Sequence, residues 1–263
     1  MKCVIVIPIY KNHPNNCEIL SLKRCAEVFK SRDIAFVCPK SLEIQLYLDI
    51  FQNNKIEFLR FDDYNFNSIS SYSRLLLNAE FYEKFLNWDY MLIYQPDAWV
   101  FKDELDYWAN MNYSYIGAPW FCGENMLEFA GNGGFSLRKI KDMICLLEAD
   151  KFIFFTPFEF AKFHYKKTGL FYFLKFVYKY FKHIFLREKF YQNTPLNEDC
   201  AIVKYAKYFD NGFKVAPAKV AAKFSFEVHP ELLYELNNKR LPFGCHAYLK
   251  YNPNFWAQHI QMR

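Results

Sequence analysis

The sequence predicts an α/β fold: a mostly parallel central sheet with helices on both faces, followed by an irregular second half. Three observations carry that expectation. Short apolar runs alternate with stretches of helical periodicity through the first hundred residues, the pattern of successive βα units. The run Met91 to Tyr94 is apolar at every position rather than every second one, as a strand covered on both faces requires. Eight Gly and eleven Pro among 263 residues are too few for a loop-dominated chain, and no internal repeat is present.

Taken in order, "CVIVIPI" (3–9) reads as the first buried strand. "NNCEILSLKRCAEVFKS" (15–31) sets Cys17, Leu20, Cys25 and Val28 at helical spacing. "DIAFVCP" (33–39) is a second strand, closed by Pro39, and "SLEIQLYLDIFQ" (41–52) a helix opened by a serine cap. "KIEFLRF" (55–61), "SISSYSRLLLNAEFYEKF" (68–85) and "DYMLIYQ" (89–95) continue as strand, helix and strand. The rhythm then loosens. A short helix (102–110) and a strand-like "YSYIGAPW" (113–120) precede "AGNGGFSLRKIKDMICLLE" (130–148), which reads as turn, strand and helix. "TPLNEDCAIVKYAKYF" (194–209) reads as a capped helix, and the tail from about 213 as extended and loop-like. No linker rich in Gly, Ser or Pro divides the chain, so residues 1–263 are expected to form one continuous domain.

Composition narrows the function classes. A hydrophobic fraction of 52% supplies a sizeable core and excludes global disorder. The formal charge of +5 is concentrated: residues 162–190 hold eight Lys or Arg and one Glu, so the remainder is slightly acidic. That argues against a nucleic-acid partner, which calls for a basic domain. Eight scattered cysteines without a CxxC pair fit small buried hydrophobes in a reducing compartment. The opening apolar run is cut short by Pro8, too soon for a signal peptide. A cytoplasmic location is expected.

Four stretches place polar groups against apolar neighbours. In "MLIYQPDAWVF" (91–101) a strand-like run ends in Gln95, Pro96 and Asp97. Proline ends regular pairing, which sets Asp97 at the carboxyl end of an inner strand, where open α/β sheets bind ligands. Gln95 and Asp97, two apart, would share a face there. "GNGGFSLR" offers Gly133 and Gly134, where backbone can approach a ligand closely. "LNEDCA" offers Glu198 and Asp199 at a helix start, and "PFGCHAY" offers His246. Taken singly each has a plainer use, as a cap, a turn, a helix start matched to the dipole or a structural histidine. One type of site uses all four.

With "VIVIPIY" and "NPNFW" at the two ends, these motifs resemble the GT-A superfamily of nucleotide-sugar glycosyltransferases. They resemble more closely a bacterial family of unknown function that carries "YQPD", "GNGGFSLR", "NEDC" and "FGCHAY". The resemblance implies a GT-A-like, Rossmann-like fold. It makes residues 1–101 the nucleotide-sugar-binding half and 102–263 the acceptor-binding half, with an aromatic-basic helical insertion at about 163–190.

The resemblance also implies roles. Gln95 and Asp97 stand where such enzymes carry an Asp-x-Asp metal motif, so only the second acid is present. A glutamine carbonyl is an acceptable ligand for a hard cation but adds no charge. His246 matches a late histidine that completes the metal shell, around Mn2+ or Mg2+. Tyr10 would stack on the base, Arg74 would reach the diphosphate, and Gly133 and Gly134 would line the donor sugar. Trp120 and Asn132 would meet the acceptor. Asp199, or else Glu198, would be the base of an inverting transfer. The expected substrates are a nucleotide sugar, UDP-linked by preference, and a surface glycan such as lipopolysaccharide or capsule. The rivals are a sugar nucleotidyltransferase and a non-catalytic membrane- or partner-binding module on the same fold. "IYKNHPNN" lacks the glycine-rich phosphate loop the former needs, and the retained acids count against the latter.

"FHYKKTGLFYFLKFVYKYFKHIFLREKF" (163–190) sets Lys175, Lys179 and Lys182 on one helical stripe among aromatic residues. Its lysines exclude a membrane span. Such a stripe suits an anionic membrane surface reached through residues 169–187, and so a peripheral place on the inner membrane. Packing on the protein's own core, or a dimer contact, is the alternative.

Overall fold

The computed structural model describes residues 1–123, 125–149, 189–194, 196–209 and 212–260, with a few positions between 174 and 186. The strands are β1 (Cys3–Pro8), β2 (Asp33–Pro39), β3 (Lys55–Phe61), β4 (Tyr90–Tyr94), β5 (Trp99–Val100), β6 (Tyr115–Ile116), β7 (Pro119–Cys122), β8 (Asn125–Ala130), β9 (Phe135–Lys139), β10 (Ser225–Phe226) and β11 (Gly244–Cys245). The helices are α1 (Asn16–Val28), α2 (Gln45–Ile50), α3 (Ile69–Leu76), α4 (Ala79–Glu83), α5 (Leu105–Asn110) and α6 (Ile140–Glu148). They continue with α7 (Phe190–Asn193), α8 (Glu198–Phe209), α9 (Ala218–Phe224), α10 (Pro230–Leu236) and α11 (Pro253–Trp256).

Six strands form the central sheet in the order β3-β2-β1-β4-β9-β6. The first four run parallel, while β9 runs antiparallel to both β4 and β6. Alternation along each strand feeds two separate cores. Ile5, Ile7, Phe36, Leu92 and Tyr94 pack with Leu22 and Cys25 of α1, Phe29 at its C-cap, Tyr47 of α2 and Trp108 of α5. Val4, Val6, Val37, Met91 and Ile93 pack with α3, α4, α6 and α8 through Leu76, Phe81, Met143 and Ile202. Both faces are covered over β1, β2 and β4, which is why these strands read as nearly continuous apolar runs, while β3 at the edge is partly exposed.

The connections follow local chemistry. Asn15 and Glu18 form a reciprocal capping box at the start of α1. Ser68 and Ser71 do the same for α3. The expected single helix over 68–85 is two helices, because Asn78 accepts from Glu80 N at 3.2 Å and starts α4 afresh. The helix expected over 41–52 is confined to α2, and Ser41 does not cap it.

The tail departs most from expectation. It carries α9, α10 and α11 with only two-residue strands between. Pro217 sits at the N-cap of α9, and Pro230 and Pro253 lie in the first turns of α10 and α11. Proline suits those positions because its fixed φ matches the helix and its missing N–H would be unpaired there anyway.

The expected lysine stripe falls almost entirely outside the described residues. No described helix is long and apolar enough to cross a membrane. Cys3, Cys17, Cys25, Cys38, Cys145, Cys200 and Cys245 carry free thiols.

Candidate active site

The chain leaves β1 for α1 on one face of the sheet, and reaches β4 from α3 and α4 on the other. The carboxyl ends of β1 and β4 therefore flank a topological switch point, the place where open α/β sheets hold ligands. A cleft of about 680 Å³ lies there. It is lined by Tyr10 and Lys11 after β1, Gln95 and Asp97 after β4, Asn132 to Gly134 before β9, Glu198 and Asp199 at the start of α8, and His246 after β11. Sequence-distant motifs thus meet in one place.

On one side of the cleft, Asp97 Oδ1 lies 3.2 Å and Gln95 Oε1 3.0 Å from His246 Nε2. The two residues converge through a turn rather than by strand alternation: the β4–β9 ladder ends at Tyr94, and Ala98 N donates to Gln95 O. The opposite edge of the imidazole, Nδ1, lies 3.2 Å from Glu227 Oε1. Glu227 is 7% exposed. Burial alone would push the His246 pKa down, but hydrogen bonds to Asp97 and Glu227 outweigh it and push it up to about 10. Burial likewise opposes ionisation of Asp97, yet the bond to His246 holds its carboxyl below the ordinary value.

Whether this corner suits a divalent cation is a question of spacing. Adjacent ligands of an octahedral ion held at about 2.1 Å stand about 3 Å apart, and Asp97 Oδ1 and Gln95 Oε1 each stand at that distance from His246 Nε2. A Cβ on Gly134 would come within 2.0 Å of His246 Nε2, so only glycine keeps that approach open. Glu227 supplies the second hydrogen bond that metal-binding histidines use to fix ring orientation. The residues fit. Among the described residues no three His, Cys, Asp or Glu are grouped to share an ion; the Gln95 carbonyl adds a further oxygen beside the Asp97–His246 pair.

On the other side, Glu198 and Asp199 are adjacent but differently held. Glu198 Oε1 accepts from Arg138 Nη2 at 3.1 Å and Oε2 from Ser73 Oγ at 3.1 Å. The Arg138 side chain is fully buried, bonded also to Tyr82 Oη at 2.9 Å and lying over the Tyr115 ring. Glu198 is thus the counter-ion of a buried guanidinium. Asp199 accepts from backbone donors, Gly133 N at 3.2 Å and Cys200 N at 2.6 Å. Burial and the neighbouring Glu198 charge push its pKa up to about 7, the range suited to a proton acceptor at neutral pH.

Between the two sides runs the glycine pair. A Cβ on Gly133 would meet Glu198 Oε1 at 2.6 Å. Asn132 Oδ1 accepts from Gly134 N at 3.0 Å and Gln95 N donates to Gly134 O at 2.9 Å, which fixes this floor.

Tyr10 lies half-exposed at the mouth with Lys11 Nζ 5.8 Å from its ring centre. Two expected residues fall elsewhere. Arg74 sits on the exposed face of α3 and lines a different cavity, while its neighbours Tyr72 and Ser73 turn to the cleft. Trp120 follows a register shift in β7 that disrupts simple alternation, and its ring lies 6.0 Å from Lys204 Nζ rather than lining the cleft. Sequence reasoning missed Glu227, Arg138, Ser73 and Lys250. Glu227 carried a signal: in "FSFEVHP" an acid ends an apolar run, as Asp97 does in "MLIYQPD".

The fold is shared with known glycosyltransferases. Mouse xyloside xylosyltransferase 1 superposes with a TM-score of 0.50 at 8% identity, over 94% of this chain and 97% of that one. The glycosyltransferase GlyE of Streptococcus pneumoniae TIGR4 gives 0.51 at 12% identity, over 94% and 54%. The bifunctional glycosyltransferase WbbM gives 0.50 at 11% identity, over 96% and 46%. The chain therefore spans about half the length of the last two. With its six-stranded, mostly parallel sheet it has the GT-A fold of these neighbours. No curated protein matches its sequence. Residues 55–246 match DUF5672, described as a protein of unknown function, and by that match over most of its length the chain belongs to the DUF5672 family.

Proposed function

We propose that the protein is an inverting, divalent-metal-assisted glycosyltransferase that moves a sugar from a nucleoside diphosphate to a glycan acceptor. The observation that carries this reading is the two-sided cleft. Three donor atoms are spaced for a cation on one side, a carboxylate with a pKa near 7 lies on the other, and two glycines lie between them.

In this reading residues 1–101 hold most of the nucleotide and 102–263 most of the acceptor. Tyr10 stacks on the base, with UDP the favoured nucleotide. Lys11 and Lys250, both lining the cleft, face the diphosphate. Asp97, Gln95 and His246 would hold Mn2+ or Mg2+, with Glu227 fixing the imidazole. A divalent ion bound there supplies Lewis-acid neutralisation of the charge that builds on the leaving diphosphate. Gly133 and Gly134 let the donor sugar lie against backbone. Asp199 accepts the proton of the acceptor hydroxyl as it attacks the anomeric carbon from the side opposite the diphosphate. Glu198, bound to Arg138 and Ser73, holds the start of α8 and so positions Asp199.

The acceptor is proposed to be a bacterial surface glycan, such as lipopolysaccharide or capsule, worked on at the cytoplasmic face of the inner membrane. Residues 169–187 would rest on the anionic surface. Leu174, Tyr178, Phe181 and Phe185, at helical spacing, are 57%, 70%, 57% and 87% exposed, which supports apolar contact at headgroup level.

Thermal-shift measurements with a panel of nucleoside diphosphates, with and without MnCl2, test the reading. A shift confined to one base and enlarged by Mn2+ is expected. No shift with any nucleotide contradicts it.

A further inference from the structure

The displaced Arg74 leads to a second site. On the far side of α3 from the cleft lies a cavity of about 500 Å³, beneath the carboxyl ends of β2 and β3. Four cations line it, Lys40, Arg60, Arg74 and Lys84, against two acids, Asp62 and Glu80. Lys40 pairs with Asp62 at 2.5 Å. Arg60 donates to the carbonyls of Pro39, Lys40 and Leu42, which holds its guanidinium in place without neutralising it. Arg74 makes no ion pair among the described residues, and Lys84 meets only the Phe61 ring, at 5.7 Å from its centre. Positive charge is therefore left over in a concave site.

The rest of the wall is not that of a bare phosphate pocket. Asn65 is 8% exposed and fixed by donation to Asp62 O at 3.0 Å. Asn78 and Gln192 add carboxamides, and Tyr64 presents a ring that is 64% exposed. Amides pair with sugar hydroxyls, an aromatic face covers sugar C–H groups, and guanidinium or ammonium groups take a carboxylate or phosphate. Gln192 also brings α7 to this rim, immediately after the segment that carries the chain's positive excess.

We propose that this cavity is an anionic-saccharide site, separate from the nucleotide cleft, that binds a carboxylate- or phosphate-bearing sugar. Its use as an acceptor-anchoring site rests on the glycosyltransferase reading; the binding itself does not.

Isothermal titration of the full chain with tri-galacturonic acid, maltotriose and sodium phosphate tests it, alongside a UDP titration with Mn2+. Tri-galacturonic acid should bind at least about tenfold more tightly than neutral maltotriose, and phosphate should compete with it, since the anion supplies the discrimination. The Arg74→Ala/Lys84→Ala variant, altered only at exposed positions, should weaken tri-galacturonic acid about tenfold or more and leave UDP affinity unchanged. Failure of tri-galacturonic acid to bind, or equal binding by the variant, overturns the proposal. Loss of UDP binding in the variant also overturns it, because Arg74 would then serve the donor cleft. Failure of UDP to bind the wild type would count against the transferase reading while leaving the saccharide result to stand or fall by itself.

Discussion

The two sides of the cleft use the same chemical group to opposite ends. At the Asp97 side, an imidazole held by a second carboxylate keeps the acid ionised below its ordinary pKa. At the Asp199 side, burial next to Glu198 raises an identical carboxyl to about 7. The glycine pair lies between them, Gly133 against Glu198 and Asp199 and Gly134 against His246. The difference teaches that role here is set by neighbours rather than residue type. A carboxylate that stays ionised suits a cation, and one poised near neutrality suits a proton.

The largest effect that would break this contrast is expected from Asp199→Asn. It should lower turnover by roughly two to four orders of magnitude, the usual contribution of general-base catalysis, while the affinity for UDP stays within about twofold. Titration calorimetry beside steady-state rates separates the two. Full activity in this variant would make Asp199 only part of a helix start.

Next comes the support beneath that acid. Glu198→Gln leaves a fully buried Arg138 without its counter-ion, and breaking such a pair costs on the order of 3 to 5 kcal/mol. Urea unfolding should show a loss toward the lower end, because the amide can still accept one bond from the guanidinium. A stable but inactive variant would instead assign the base to Glu198.

A smaller effect sharpens the other side. Glu227→Gln keeps the hydrogen bond to Nδ1 but removes its charge, and should weaken Mn2+ binding about tenfold to a hundredfold, the usual cost of losing a metal ligand's supporting partner. Equal Mn2+ affinity in calorimetry would reduce Glu227 to packing.

Much of this could be read from residues alone, for physical reasons. β1, β2 and β4 are buried on both faces, so "CVIVIPI" and "MLIYQPD" announced themselves, and the acid ending the second run led to the cleft. Periodicity could not show that Asn78 splits a helix, since a cap depends on one local side-chain bond. It could not show the direction of β9, since strand polarity depends on partners far away in sequence. The helices of the tail went unread because each is only four to seven residues long, too short for periodicity to show, and is opened by Pro217, Pro230 or Pro253. Arg74 was misplaced because adjacent helical positions point about 100° apart, enough to turn Ser73 to the cleft and Arg74 away from it.

The contrast between the two carboxyls can be measured without substrate. A carbon-detected NMR titration of the aspartate side-chain carboxyls reads each one directly. Asp199 should titrate near 7, and Asp97 below the ordinary 3.8. Because the fold raises the Asp199 pKa, ionising it costs folding stability as pH rises from about 4 to about 7, and Asp199→Asn should lose that slope. Asp199 titrating with the exposed aspartates, or Asp97 titrating above them, would contradict the account.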